Sequence, residues 1–198
     1  MSENSADKTS SAAEERNLIH RIADGDGEAL GELYDRYSPL LLGLARRILR
    51  RDGDAEEVLQ EVMLQVWKQA HRYEKSRSAV TTWLVLLTRS RAIDRLRSQR
   101  SRDRTLDAYQ VETPVQKHAS ATASGTVLMN ERRERLSTAL ADLPEEQRQV
   151  LELAFYSGLS QSEIAAAIDI PLGTVKTRTL LAMRKLRKAL EGEMKELL

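Results

Sequence analysis

Residues 160–178 read SQSEIAAAIDIPLGTVKTR, and this stretch predicts a helix-turn-helix. Ser160 and Glu163 have the spacing of a capping box, in which each side chain accepts from the backbone N–H of the other residue. A helix is therefore expected to begin directly after the serine. Asp169 can adopt the left-handed backbone conformation that a tight turn requires. Pro171 suits the first turn of a second helix, because an N–H there would have no intrahelical partner.

The second helix of this motif divides into an apolar face and a basic face. At about 100° per residue, the side expected to enter the core carries Val175, Thr179, Ala182, Met183 and Leu186. The opposite side, which is expected to face a DNA groove, carries Thr174, Thr177, Arg178, Leu181, Arg184, Lys185 and Lys188. Two packed helices with a solvated basic face would give the same pattern. Because residues 176–188 contain six cations and no acid, the pattern favours DNA.

Charge is segregated along the chain, although the net charge is only +1. The acidic cluster comprises Asp52, Asp54, Glu56, Glu57 and Glu61. Between residues 89 and 104, by contrast, seven arginines accompany only two aspartates. This segregation predicts one surface for another protein and separate surfaces for a nucleic acid.

The sequence contains no cysteine, which excludes disulfides, zinc–thiolate sites and thiol redox switches from this chain. Its histidines, His20, His71 and His118, lack the spacing of metal ligands. We therefore expect neither a metal nor a cofactor. No apolar run approaches the ~20 residues of a membrane span, and the first residues are polar. The sequence thus predicts a cytoplasmic protein without membrane insertion.

Helical periodicity recurs throughout the chain and strand-like alternation is absent, which predicts an all-α fold. Residues 1–13 are expected to form a disordered tail, because they offer nothing to bury. Residues 14–98 are expected to form a first small helical domain and residues 127–198 a second one, which contains the helix-turn-helix. The segment 99–126 has the composition of a flexible linker between them.

In the first domain, helices are expected over residues 14–23 and 28–37. Ser38 and Pro39 allow two interpretations. They begin a third helix that ends at Arg50, or they kink one long helix.

Asp54 and Glu57 fit a second capping box, with the aspartate as the cap. The apolar face of the helix that follows comprises Ala55, Val58, Leu59, Val62, Met63, Val66, Trp67 and Ala70. After a polar loop, Thr81 or Thr82 is expected to cap a helix over residues 83–97.

Three segments, in this order, resemble the bacterial sigma-70 family of RNA polymerase sigma factors, and within it the short extracytoplasmic-function type. They are residues 54–67, DAEEVLQEVMLQVW; residues 82–97, TWLVLLTRSRAIDRLR; and the run 143–178 around the helix-turn-helix. The resemblance extends from about residue 17 to about residue 190. It implies an alternative sigma factor, not an enzyme, that binds core RNA polymerase and directs initiation at promoters.

The resemblance also implies that the acidic helix binds the clamp-helix coiled coil of the polymerase β′ subunit. The residues at matching positions are Asp54, Glu57, Gln60, Glu61 and Gln65. The alternative for such a charged face is simple exposure to solvent.

By the same resemblance, the loop 74–79 and the helix 83–97 bind the −10 promoter element and hold a base flipped out of the duplex. The residues expected to contact the −10 element are Lys75, Ser76, Arg77, Ser78, Thr88, Arg91 and Arg95. The residues expected to contact the −35 element are Thr174, Lys176, Thr177, Arg178, Leu181, Arg184 and Lys185.

Leu180 and Leu181 depart from the family pattern, because many relatives have a basic residue at this place in the recognition helix. The pair could contact thymine methyls, form an apolar docking patch for an inhibitor, or pack loosely against a neighbouring helix. An anti-sigma factor is accordingly an expected partner, beside core polymerase and promoter DNA.

The main alternative is a stand-alone helix-turn-helix regulator. It would account for residues 127–198 but would leave the acidic helix without a function. A helical enzyme would require carboxylates or histidines clustered in a cleft, which the sequence does not indicate. A polymerase adaptor that never touches DNA would leave the two basic helices unexplained.

Overall fold

The computed structural model describes residues 3–106 and 135–190, with side chains described over residues 13–102 and 135–190. The chain divides into two compact units, Met1–Ala123 and Ser124–Leu198. Every regular element of the described residues is a helix, which confirms the all-α prediction. None of the described helices combines the length and the apolar character that crossing a membrane would require.

The described part of the first unit consists of α-helices and one short 3₁₀ turn. They are α1, Glu3–Ala23; α2, Gly27–Leu49; α3, Asp52–Gln69; the turn, Ala70–Arg72; and α4, Val80–Leu106. Helix α2 packs against each of the other three helices, and α3 also packs against α4. Fully buried side chains in this core include Ile19, Leu33, Tyr37, Leu41, Val62 and Leu84.

The turn between α1 and α2 is specified by neighbouring residues. Gly25 has φ +88°, a conformation that glycine adopts without steric cost. The carboxylate of Asp26 then caps α2, accepting from the backbone N–H of Glu28 at 2.9 Å and of Ala29 at 3.2 Å. Arg21 of α1 donates to the same carboxylate at 2.8 Å, so the cap also bonds the two helices together.

Helix α2 is one continuous helix with Pro39 inside it, so the interpretation in which Ser38 and Pro39 begin a new helix is wrong. A proline in a helix interior removes a hydrogen bond. Here Tyr37, Leu41 and Ala45 are buried at four-residue spacing on both sides of it. Their packing against the core maintains the helix across the proline.

Two helices begin earlier than the sequence predicted. Helix α1 begins at Glu3 instead of residue 14 and thus extends into the predicted disordered tail, where no glycine or proline would end it. Helix α3 begins at Asp52, because Arg50 takes a left-handed φ of 59° and ends α2 just before it. Asp54 is therefore not a helix cap, and the predicted capping box at this position is wrong.

Helix α4 begins at Val80 rather than at residue 83, so neither threonine caps it as predicted. Thr81 instead lies 3.2 Å from the buried Tyr37 hydroxyl of α2. The helix also continues to Leu106, past residue 98 where the first domain was expected to end. The rest of the predicted linker, residues 107–126, lies outside the described residues.

The second unit contains the helix-turn-helix. Residues 135–141 form α5, followed by α6, Glu145–Tyr156; α7, Gln161–Ala167; and α8, Leu172–Ala189. Val150, Ile164 and Val175, one from each of α6, α7 and α8, are buried together. Leu153, Ala154, Leu159, Ala165, Ile168 and Ile170 pack around them.

The local predictions for this motif are confirmed. Ser160 and Glu163 form the capping box, and α7 begins at the next residue. Asp169 has a left-handed φ of 50° in the turn. Pro171 is the N-cap of α8, one position before the first helical turn in which it was expected.

Candidate functional site

Arg95 of α4 contacts three carboxylates of α3. Its Nε lies 2.9 Å from Asp54 Oδ1 and its Nη1 lies 3.5 Å from Glu61 Oε1. Its Nη2 donates to Glu57. The sequence predicted DNA binding for the arginine and polymerase binding for the three acids, so the structure brings members of two predicted sites into one cluster.

Asp54 is the most enclosed acid of this cluster. Its side chain is 18% exposed, compared with 63% for Glu57 and 50% for Glu61. Gln99 donates to its second oxygen at 2.8 Å, so both carboxylate oxygens are bonded to α4. Burial alone would raise the pKa of Asp54, but the hydrogen bonds from Arg95 and Gln99 outweigh it and hold that pKa below the usual value. Asp54 thus fastens α3 to α4.

A second contact joins the same two helices. Arg91 Nε donates to Gln65 Oε1 at 2.9 Å, again pairing a predicted DNA-binding residue with a predicted polymerase-binding residue. Gln60, the remaining member of the polymerase-binding set, lies exposed on α3.

The outer face of α3 also exposes two large apolar side chains, Leu64 at 52% and Trp67 at 37%. The prediction that Trp67 belongs to the core face is therefore wrong. Trp67 lies at the edge of the apolar arc, and Val66 and Ala70 occupy the core at this level. Leu64 was missed as a surface candidate, although its helical position opposite the buried Val62 already indicated exposure.

The loop before α4 is shaped by an aromatic pair. The rings of Tyr73 and Trp83 lie 5.3 Å apart at a 45° angle. The Tyr73 hydroxyl donates to the backbone oxygen of Ser78 at 2.8 Å, which closes the loop. The predicted −10 residues of this loop are Lys75, Ser76 and Arg77, which are exposed, and Ser78, which is half-buried.

Two residues of the predicted −10 set, Arg77 in the loop and Thr88 in α4, differ in how accessible they are to DNA. Arg77 forms an ion pair with Glu74 at 2.7 Å, which leaves the guanidinium at the surface. Thr88 is fully buried and donates its hydroxyl to the Leu84 backbone oxygen at 2.9 Å. The prediction that Thr88 contacts DNA is therefore wrong, because its side chain points into the core.

Helix α8 keeps most of its predicted faces. Val175 and Ala182 are buried as expected, but Met183 is 55% exposed, and its prediction as a core residue is wrong. On the predicted DNA face, Lys176, Thr177, Leu181, Arg184 and Lys185 are exposed, and Thr174 and Arg178 are half-buried.

Comparison with known proteins decides the family. The Sigma-70 region 2 model matches residues 33–102 and the Sigma-70 region 4 model matches residues 139–188. The chain is 35% identical over 176 residues to the ECF RNA polymerase sigma factor SigK of Mycolicibacterium vanbaalenii, covering 87% of each chain. The chain belongs to the ECF RNA polymerase sigma factors.

Other sigma factors are similar as well. SigK of Mycobacterium tuberculosis is 32% identical over 177 residues, which is 88% of this chain and 92% of that protein. Among solved structures, Rhodobacter sphaeroides SigE in complex with the anti-sigma ChrR is 32% identical, with a TM-score of 0.44 over 87% of this chain and 95% of that one. The sigma factor RpoE of Bartonella quintana, in complex with NepR, is 22% identical, with a TM-score of 0.39 over 81% and 96%.

In this sigma factor, region 2 contains the acidic helix α3 and the arginine-bearing helix α4, and region 4 contains the helix-turn-helix. A stand-alone helix-turn-helix regulator does not account for the region 2 match. Sigma factors are transcription initiation factors and not enzymes, as the sequence predicted.

Proposed function

We propose that this sigma factor binds core RNA polymerase through the outer face of α3 and binds promoter DNA through two separate basic surfaces. The observation that carries the assignment is the arrangement of α3, which exposes acids and large apolar side chains together on the face turned away from the core. Such a mixture is typical of a protein-binding surface, in which aromatic anchors contribute most of the affinity.

The polymerase-binding surface, in this proposal, comprises Glu57, Gln60, Glu61, Leu64 and Trp67. Its partner is the clamp-helix coiled coil of the β′ subunit. Gln65 lies at the border, bonded to Arg91. Asp54 holds α3, and with it this surface, in place, because its carboxylate accepts hydrogen bonds from Arg95 and Gln99 of α4.

The −10 element is assigned to the loop before α4 and to the arginines of that helix. Lys75, Ser76 and Arg77 are exposed where a single strand would pass, and Ser78 closes the loop. A flipped base costs a few kcal/mol of lost stacking, which contacts in the loop and phosphate neutralisation by Arg91 and Arg95 offset.

The −35 element is assigned to α8. Its exposed polar and basic side chains can approach base edges and phosphates in the major groove, as recognition helices do. The contact residues of this proposal are Thr174, Lys176, Thr177, Arg178, Leu181, Arg184 and Lys185.

An anti-sigma factor is proposed as a further partner, and the cytoplasm as the place of action. The relevant surface is the exposed flank of α8 formed by Leu180 and Met183. Leu180 and Leu181 are both exposed, and because they are adjacent in the helix their side chains project about 100° apart. Leu181 lies with the DNA-facing residues, and Leu180 lies on the flank that also carries Met183 and Lys176.

The direct test is run-off transcription with purified bacterial core polymerase across a promoter library. We expect transcripts that depend on added sigma factor and that share one −10 and one −35 sequence. If the chain binds promoter DNA but neither binds core polymerase nor supports any transcript, the proposal fails and a DNA-binding regulator remains.

A further inference from the structure

Arg95 belongs to two surfaces that the proposed function treats separately. Its three guanidinium nitrogens each face a different carboxylate, on Asp54, Glu57 and Glu61. A guanidinium has five N–H donors in a fixed fork and no acceptor. A DNA phosphate that approaches Arg95 therefore has to compete with three carboxylates already placed around its guanidinium.

The three carboxylates differ in how firmly they are held. Asp54 is largely enclosed and receives a second hydrogen bond from Gln99. Glu57 and Glu61 are at least half exposed and contact α4 through Arg95. Exposed ion pairs are weak and exchange easily with other charged partners. The cluster therefore has a firm inner bond and two replaceable outer bonds.

The local charge also opposes DNA binding in the free chain. One positive charge on Arg95 is surrounded by three negative charges within a distance over which physiological salt screens only in part. A DNA phosphate that approaches the Arg95 guanidinium meets these three carboxylates at short range, beside the cations Arg91 and Arg102 that line the same surface hollow. Its affinity for Arg95 is lowered by competition with the carboxylates and by their repulsion.

We propose that Glu57 and Glu61 act as internal competitors of the DNA backbone for Arg95. In the free chain both carboxylates are paired with the Arg95 guanidinium. When polymerase binds these two carboxylates, Arg95 becomes available for a −10 phosphate. Asp54 remains bonded and keeps α4 in place. The release step rests on the proposed function of α3. Arg91 undergoes the same exchange, but its partner in the free chain is the neutral side chain of Gln65.

The competition is measured on the full chain without polymerase, by fluorescence anisotropy with a labelled single-stranded DNA of mixed sequence. The test variant is Glu57→Gln/Glu61→Gln. The control is Glu28→Gln/Glu56→Gln, which removes the same charge at two exposed positions, one of which, Glu56, lies 3.9 Å from Arg46. We expect the test variant to bind several-fold tighter than the control. Its plot of log affinity against log salt concentration should also be steeper by about 0.7, the value for one added phosphate contact on a single strand.

Adding Arg95→Gln to the test variant should return the affinity and the salt slope to those of the control. Tryptophan fluorescence during urea unfolding verifies that each variant is folded. Equal affinity and equal slope for the two double variants would overturn the proposal. Run-off transcription by the wild-type chain tests the proposed function independently. If the wild-type chain supports no transcription, polymerase binding is not what releases Arg95. The comparison of variants without polymerase still shows whether Glu57 and Glu61 compete with DNA for Arg95.

Discussion

The carboxylate of Asp54 and the guanidinium of Arg95 lie 2.9 Å apart, although 41 positions separate them in the sequence. This pair fastens the acidic helix α3 to the arginine-bearing helix α4. It thereby sets the positions of two surfaces, one proposed for polymerase and one for DNA.

Asp54→Ala should lower the free energy of unfolding of the first unit by about 1.5–3 kcal/mol, because it removes charge-assisted hydrogen bonds in a partly enclosed site. Glu57→Ala, at an exposed position on the same helix, should change it by no more than about 0.5 kcal/mol. Both tryptophans, Trp67 and Trp83, lie in this unit, so their fluorescence during urea unfolding reports it selectively. Equal effects of the two variants would contradict the supporting role of Asp54.

Acidification should destabilise the wild-type chain more than Asp54→Asn. The pKa of Asp54 is lowered in the folded chain, where the hydrogen bonds from Arg95 and Gln99 outweigh the effect of burial. A lowered pKa contributes stability above the unfolded value of about 4, and that stability is lost as the pH falls through the folded value. The wild type should therefore have the higher urea midpoint at pH 7, and the difference between the two midpoints should shrink below about pH 4. Parallel curves would argue against a charged, bonded Asp54.

Charge reversal of the outer acids, Glu57→Lys/Glu61→Lys, should abolish binding to core polymerase without loss of helical circular dichroism. Trp67→Ala should weaken the same binding by about 2 kcal/mol or more, as expected for a partly exposed aromatic anchor. The matched control is Glu28→Lys/Glu146→Lys, which makes the same change of charge elsewhere. Unchanged affinity of the reversed variant for core polymerase would refute docking through α3.

On α8, Arg178→Ala should cost about 1–3 kcal/mol of promoter binding and relax specificity at one base pair of the −35 element. Lys185→Ala, at an exposed position, should weaken all sequences alike and reduce the salt slope by about one. Both are measured with the polymerase complex on a set of single-base promoter variants. If Arg178→Ala lowered binding uniformly across the set, this residue would be a phosphate contact instead.

Substitutions of the two adjacent leucines, Leu180 and Leu181, should have different effects. Leu181→Ser should weaken promoter binding in vitro, because Leu181 lies among the DNA-facing side chains. Leu180→Ser should leave promoter binding unchanged and should raise basal transcription in cells, because it alters the flank proposed for an anti-sigma factor. Leu180→Ser with normal promoter binding and no gain in basal transcription would remove this flank as an inhibitor site.

The amino-acid sequence alone determined the features that depend on neighbouring residues. The capping box of Ser160 and Glu163 and the left-handed turn at Asp169 were predicted correctly. Each is settled by groups within a few positions, whose geometry is nearly independent of the rest of the chain. The all-α fold and the family followed from patterns of the same local kind.

Only the tertiary structure decided which partner a side chain takes when several are available. Asp54 has the spacing of a helix cap, yet its carboxylate binds Arg95 and Gln99 of another helix. Thr88, Trp67 and Met183 were misplaced, since helical periodicity gives the direction of a side chain but not what covers it. Burial at the edge of an apolar arc depends on the neighbouring helix, and long-range pairing of charges depends on how the helices pack.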